Sequence, residues 1–406
     1  MAFPMMVTLD DVQAARKRIF DQIYLSPCAR SETLSRLSGS QAFLKLENLQ
    51  MTGAYKERGA LNKLLTMPPA DRAKGLVAAS AGNHAQAVAY HAGRLGIAAT
   101  IVMPEGTPLL KVANTRGHGA RVVLSGASYD EAYTEARRME QAEGLTFVHP
   151  FDDPAVIAGQ GTVALELLEQ VPDLEGVLVP IGGGGLVSGM AAALKAAAPK
   201  VRVIGVETEV LPCMLASIEE GHLVTVEPAT TIADGIAVKR AGELTFQHVQ
   251  KLVDEIVTVS EEEIASAILY LLEKEKTVVE GAGAVAVAAL LNHKVRGLEG
   301  RRVVAVVSGG NIDVNVVARV IERGLVRDGR LVRINVALQD RPGQLAKVSA
   351  VVATHRANVI EVHHSRAFSH RFGDTTLQLT LETRGPDHVE EILRALRERG
   401  YQVERI

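Results

Sequence analysis

The chain has 406 residues, enough for two or three compact units, with 47% hydrophobic and 22% charged residues and a net charge of −3. This composition excludes a disordered polymer, and the charge offers no field for holding nucleic acid or an anionic membrane surface. Only two cysteines occur, Cys28 and Cys213, with no CxxC pair, which excludes a disulfide framework or structural zinc site and makes a reducing cytoplasm the expected compartment.

No basic patch precedes an apolar run at the N-terminus, so no signal peptide is expected. The first motif is Thr52-Gly-Ala-Tyr-Lys56-Glu-Arg-Gly59, ahead of a helix over Ala60–Leu65. A lysine between an aromatic residue and glycines suits either a cleft or the surface. As a nucleophile it needs a depressed pKa or a cationic neighbour, and Arg58 is a candidate for that charge. The apolar run Leu76–Ala79 reads as a strand, followed by Ser80-Ala81-Gly82-Asn83-His84 and a helix over Ala85–Gly93. Such a loop exposes backbone N–H groups to an anion, unless Ser80 or Asn83 merely caps the helix.

Strands are expected at Thr100–Met103, Val122–Leu124, Val177–Pro180, Val201–Val206 and Val303–Val307, with amphipathic helices over Ser128–Glu143 and Gln160–Gln170. Gly119 and Gly144 mark helix ends, and Ser260 with Glu263 forms a capping box ahead of Ile264–Leu272. This alternation predicts an α/β fold of parallel strands with crossover helices. From Gly176 to Leu194 no residue is charged, but Pro180 and four glycines interrupt the run, so it reads as strand, loop and helix start rather than a membrane span.

Those glycines, Gly182, Gly183, Gly184 and Gly185 before Leu186, cost unfolded-chain entropy and let a backbone wrap a phosphate at a helix start. No Gly-Lys-Ser/Thr follows, which excludes a nucleoside-triphosphate loop, and GxGxxG is not matched. Gly281-Ala-Gly-Ala-Val-Ala286, with Glu299 beyond, fits a loose dinucleotide pattern but lies in a Gly/Ala/Val helix and is set aside. Ser308-Gly-Gly-Asn311 closes the last strand, where the serine either meets a heterocyclic nitrogen or caps a helix.

Gly324–Arg333, charged and glycine-rich, suits a linker, and is followed by a strand–helix–strand–strand–helix–strand pattern over 331–406, the ferredoxin-like βαββαβ order. His363 and His364 fall on opposite faces of their strand and do not share a metal.

Taken together, the four motifs resemble the serine/threonine dehydratase family of fold type II pyridoxal-phosphate enzymes over roughly residues 5 to 320. The resemblance implies a catalytic domain over 1–325, with a small subdomain at about 50–155 inserted in a large one, and a linker at 326–330. It implies that Lys56 carries pyridoxal 5'-phosphate as a Schiff base and acts as the base at Cα. Tyr55 packs beside the ring, Asn83 meets its phenolic oxygen, and Gly182–Leu186 holds the phosphate. Ser308 meets the pyridine nitrogen, while Gly235 and Glu280 line the ring edge. Ser80, Ala81, Gly82, Asn83 and His84 clasp the substrate carboxylate, with Ser80 also catalytic.

The expected reaction is dehydration and deamination of L-threonine to 2-oxobutanoate and ammonia, and of L-serine to pyruvate. Alternatives of the same fold are a serine-preferring dehydratase, a serine racemase and a hydroxyaspartate dehydratase. Alternatives of another class are an NAD-dependent dehydrogenase and a non-catalytic sensor. Related racemases carry a second serine where Ala81 stands, which favours dehydration here. Their divalent metal follows the strand ending at Glu207 and uses a further carboxylate, where this chain has Cys213, so no metal is expected.

Residues 331–406 resemble an ACT domain, an amino-acid-sensing module. Gly343, Gln344, Leu345 and Asn358 are the expected effector contacts, isoleucine or valine the expected effector of a biosynthetic enzyme, and a homodimer or homotetramer the expected assembly.

Overall fold

In the computed structural model, which describes residues 6–365 and 373–406, the chain divides into two compact units, Met1–Ile312 and Asp313–Ile406. Residues 1–5 and 366–372, to which the expectations for the N-terminus and the tail extend, lie outside the described residues.

The first unit opens with β1 (Cys28–Arg30) and β2 (Gln41–Leu46). The chain then leaves to build β3 (Leu76–Ala79), β4 (Ala99–Met103), β5 (Arg121–Leu124) and β6 (Thr146–Phe147). It returns for β7 (Gly176–Pro180), β8 (Arg202–Thr208), β9 (Glu255–Val259) and β10 (Arg302–Val307). The inserted strands form a parallel sheet in the order β5-β4-β3-β6. The others form a six-stranded sheet, β1-β2-β10-β7-β8-β9, in which only β1 is antiparallel.

Every residue of β3, β4 and β7 is buried, as expected where crossover helices cover both faces of a parallel sheet. Four strands lack that apolar signature and escape sequence reading, the first being β1, three residues long with only Cys28 half-buried. β2 carries Lys45 into the interior, β9 is half-buried with Glu255 and Thr258, and β6 is two residues long. Helix punctuation follows the sequence. Ser260 Oγ accepts the Glu263 amide while Glu263 Oε2 accepts that of Ser260, and Gly144 ends its helix at φ +67°. The uncharged run after Gly176 is β7, the glycine turn and the start of the helix Gly185–Ala197. Among the described residues, no helix is long and apolar enough to cross a membrane.

The second unit begins earlier than a break at residue 325 would place it. The charged segment Gly324–Arg333, read as a linker, takes in the last turn of a helix, Val314–Arg327, and the first residues of a strand, Leu331–Gln339; the helix N-cap Asp313 accepts the Asn315 amide at 2.8 Å. Its charges lie on the exposed face of an amphipathic helix, and only Asp328–Arg330 turns the chain, with Gly329 at φ +64°. Then come β11 (Leu331–Gln339), the helix Gln344–Thr354, β12 (Asn358–Ser365), β13 (Asp374–Glu382), the helix Pro386–Glu398 and β14 (Gln402–Arg405). They make an antiparallel sheet, β12-β13-β11-β14, the βαββαβ arrangement. Alternate residues of β11 and β13, such as Ile334 and Leu379, meet Val348, Val352 and Leu396 of the helices in one core. His363 pairs with Gln378 and His364 with Leu377, which places them on opposite faces.

Candidate active site

Lys56 is the first residue of the helix Lys56–Thr66, at a half-buried position. Its ε-amine donates to the Pro150 carbonyl at 2.9 Å and stands 5.3 Å from the centre of the Tyr55 ring. Burial, opposed by the charge of Glu280, lowers this amine to about 8. Arg58 is not the cationic neighbour that the sequence offered. It is 1% exposed and turned into the core, where it meets Glu47 in two bonds of 2.8 Å and Glu166 at 2.5 and 2.9 Å. The fork geometry of a guanidinium suits this two-carboxylate partner, and desolvation, not a neighbouring cation, lowers the lysine.

The glycine turn is a packed cradle. A Cβ at Gly183 would lie 2.3 Å from the Phe151 ring, and Gly184 adopts φ +93°. Both positions therefore demand glycine. Thr245, fully buried, donates to the Gly183 carbonyl at 2.6 Å, while Asp152 accepts the amides of Glu243, Leu244 and Thr245. The helix Gly185–Ala197 has no side-chain cap, and the amides of Gly182, Gly183 and Gly184 donate to no acceptor among the described residues. Unpaired amides at an uncapped helix start fit a phosphate.

Neither Ser80 nor Asn83 caps the following helix. Asn83 is its first residue, Gly82 is an N-cap without a side-chain bond, and Ser80 Oγ accepts the Gly82 amide at 3.2 Å. The capping alternative therefore fails, and a second helix start stays open. Asn83 Nδ2 instead donates to Glu280 Oε1 at 2.6 Å. Glu280 is buried ahead of a third helix, Gly281–Leu291, and its carboxyl is pushed up to about 7, chiefly by burial and further by Asp234. Gly235 and Gly309 both abut Glu280: a Cβ would lie 3.3 and 2.3 Å from its Oε1.

Ser308 is buried, with Oγ 3.4 Å from the Ala282 carbonyl, and its own carbonyl accepts the Tyr55 amide at 3.1 Å. It caps no helix, since Asp313 does that. The structure thus joins Lys56 to Ser308 through Tyr55, Lys56 to Gly183 through Pro150 and Phe151, and Asn83 to Gly235 through Glu280. An amine for an aldehyde, free amides for a phosphate and a neutral hydroxyl for a pyridine nitrogen together fit pyridoxal phosphate.

Two expected contacts change character. The His84 side chain is buried against the Val148 carbonyl at 2.9 Å and is held neutral, down to about 3, by burial and Lys56, which leaves only its backbone for the loop. Ala81 and Gly82 are half-buried beside it. Glu207, where related racemases begin a metal site, accepts the Met214 and Leu215 amides at 2.9 and 2.8 Å and so caps the helix Cys213–Glu220. Among the described residues, no group of three or more His, Cys, Asp or Glu could hold a metal.

Sequence reading missed Thr245, Asp152, Phe151 and Asn311. Only Asn311 carried a signal, as the fourth residue of the Ser308 motif. In the second unit, Gly343 (φ +86°) precedes the uncapped helix Gln344–Thr354, Leu345 is 39% exposed, and Asn358 opens β12.

Comparison with known proteins places the chain in a family. The family description "Pyridoxal-phosphate dependent enzyme" matches residues 19–309, and "ACT domain" matches 332–400. A protein of Thermotoga maritima named L-threonine ammonia-lyase is 51% identical over 98% of this chain and 99% of its own. The structure of maize serine racemase superposes with a TM-score of 0.75 at 35% identity, covering 80% of this chain and 99% of that one. The processed form of threonine deaminase isoform 2 from Solanum lycopersicum gives 0.73 at 37% identity, covering 79% and 90%. The chain belongs to the pyridoxal-phosphate dependent enzyme family and carries an ACT domain behind its catalytic unit.

Proposed function

We propose that the protein removes water and then ammonia from L-threonine to give 2-oxobutanoate, and acts on L-serine in the same way to give pyruvate. One observation carries this reading: a half-buried lysine, its amine lowered to about 8, is linked through Pro150 and Phe151 to an uncapped glycine turn. The full-length likeness to a protein named L-threonine ammonia-lyase supports the choice of threonine.

Bound pyridoxal phosphate supplies an electron-accepting ring in conjugation with the substrate nitrogen, which acidifies Cα and assists departure of the β-hydroxyl. Tyr55 and Lys56 would flank its ring, Gly182 to Leu186 would hold its phosphate, and Asn83, Gly235, Glu280 and Ser308 would surround the heterocycle. Ser308 is a neutral hydroxyl and would leave a pyridine nitrogen unprotonated, which favours elimination over transamination. The loop Ser80 to His84 holds the substrate carboxylate through the amides of Ala81, Asn83 and His84 at an open helix start, since those of Ser80 and Gly82 already donate to the Val102 carbonyl and Ser80 Oγ. Lys56 Nζ takes the Cα proton; with Ala81 opposite there is no second side-chain acid to return one, which disfavours racemisation.

The second unit senses an amino acid. Its Gly343–Leu345 loop and Asn358 present backbone and amide groups to a zwitterion, with isoleucine or valine the expected effector. The exposed edge strand β12, with Ile360 54% and Val362 44% exposed, supports pairing into a homodimer or homotetramer. Two unpaired cysteines fit a reducing cytoplasm.

The test is an absorbance spectrum of the purified protein before and after L-threonine, with keto acid assayed, alongside Lys56→Ala. A visible band that shifts with 2-oxobutanoate formation, both lost in the folded variant, supports the reading. Full turnover by the variant, or no band after adding pyridoxal phosphate, refutes it.

A further inference from the structure

The two oxygens and nitrogens of neighbouring carboxamides have the same shape, so their partners decide which end points where. Here the assignment starts from a backbone carbonyl. The Thr52 carbonyl only accepts, so the Asn311 atom 2.7 Å from it is Nδ2. The second proton of that Nδ2 points at Asn83, 2.8 Å away, so the Asn83 atom it meets is Oδ1. The Asn83 Nδ2 is then forced to the other side, toward Glu280 Oε1 at 2.6 Å. Gly53, at φ +77°, makes room for this arrangement, since a Cβ there would lie 2.8 Å from Asn311 Oδ1. Thr52 is itself held from its other side, because its amide donates to Glu57.

We infer that Asn311 is a positioning residue that locks the Asn83 carboxamide with its N–H₂ end toward Glu280 and the side that a pyridoxal ring would occupy. This rests on the reading of Asn83 as a contact to the phenolic oxygen of the cofactor. Asn311 acts through Asn83 and ties three segments together: its own strand end, the loop ahead of Lys56 and the start of the helix Asn83–Arg94. A reversed Asn83 would set its own Nδ2 against the Asn311 Nδ2, donor against donor, and would offer an oxygen to an acceptor on the ring.

Asn311→Asp keeps the shape but removes the donor. Its carboxylate repels Asn83 Oδ1 and turns the amide around. Asn311→Ala leaves Asn83 free to take either orientation. The measurements are the dissociation constant of pyridoxal phosphate for the cofactor-free protein, the absorbance band of the loaded protein, and the melting temperature of the cofactor-free form. Locking of orientation predicts that Asp weakens cofactor binding about tenfold and shifts the band, with Ala falling between Asp and the parent whatever their melting temperatures. In an Asn83→Ala background the Asp substitution has little further effect.

Cofactor affinity that simply tracks the melting temperature in both variants overturns the inference. So does an Asp effect of equal size in the Asn83→Ala background, while Asn83→Ala alone still alters binding. If Asn83→Ala changes neither affinity nor spectrum, the cofactor reading of Asn83 fails and the inference with it.

Discussion

Arg58→Met strips one member from a buried four-charge cluster. Lys45, Glu47 and Arg58 are at most 1% exposed and Glu166 is 8% exposed. Their charges cancel, and the Arg58 guanidinium spends its donors on Glu47, Glu166 and Thr162, while Lys45 Nζ meets Glu166, the Ser26 carbonyl and Gln170. Removing Arg58 leaves one uncompensated carboxylate in the core, a loss of roughly 3–5 kcal/mol. At roughly 2 cal/mol/K of unfolding entropy per residue, over the unit Met1–Ile312, the melting temperature falls by about 5–8 °C.

The loss depends on pH in a known direction. Burial alone would raise Glu47, but the charge and bonds of Arg58 hold it below the ordinary carboxylate range. In the parent, this contribution is present above the unfolded carboxylate pKa and fades as pH falls through the lowered folded value. Without Arg58, burial prevails and Glu47 takes up a proton, so the variant's deficit shrinks toward pH 5. Urea unfolding of the cofactor-free proteins at pH 8 and pH 5 measures it, free of ligand linkage. A deficit below about 1 kcal/mol at pH 8, or one that does not change with pH, refutes the account of the cluster.

Capture of pyridoxal phosphate by the cofactor-free protein accelerates as pH rises through about 8, because burial favours the neutral Lys56 amine there, and stopped-flow absorbance follows it. A midpoint near the ordinary lysine value of about 10.4 contradicts the desolvated site. Between those two pH values the unfolded chain binds more protons than the folded one, so Lys56 adds stability with rising pH, an increment that Lys56→Met abolishes in pH-resolved melts. Deleting 331–406 keeps threonine turnover and removes the response to added isoleucine or valine; a folded but inactive truncation shows instead that the tail completes the active site.

The fold class and the site's composition are written in local features. Both-face burial gives β3, β4 and β7 their unbroken apolar runs, and glycine is irreplaceable where a backbone must pass a ring or turn left-handed, as at Gly183 and Gly184. Lys56, Asn83, the glycine turn and Ser308 could therefore be picked out one motif at a time, as could the βαββαβ tail. Where polar residues are buried by partners distant in the chain, local patterning misleads. Lys45 hid β2, the charged end of the helix Val314–Arg327 passed for a linker, and Arg58 was assigned to Lys56 although it serves Glu47 and Glu166.

Which neighbour a side chain faces belonged to tertiary structure alone. Asp152 and Thr245 sit 93 positions apart, yet Asp152 accepts the Thr245 amide and Thr245 in turn holds the Gly183 carbonyl. His84 turns inward to Val148, and the orientation of Asn83 is set by a carbonyl at Thr52 through an amide at Asn311. Sequence reports each residue's own chemistry and the period of its element. Hydrogen-bond direction and charge compensation depend on groups brought together only when the sheets close, so they were decided by the fold.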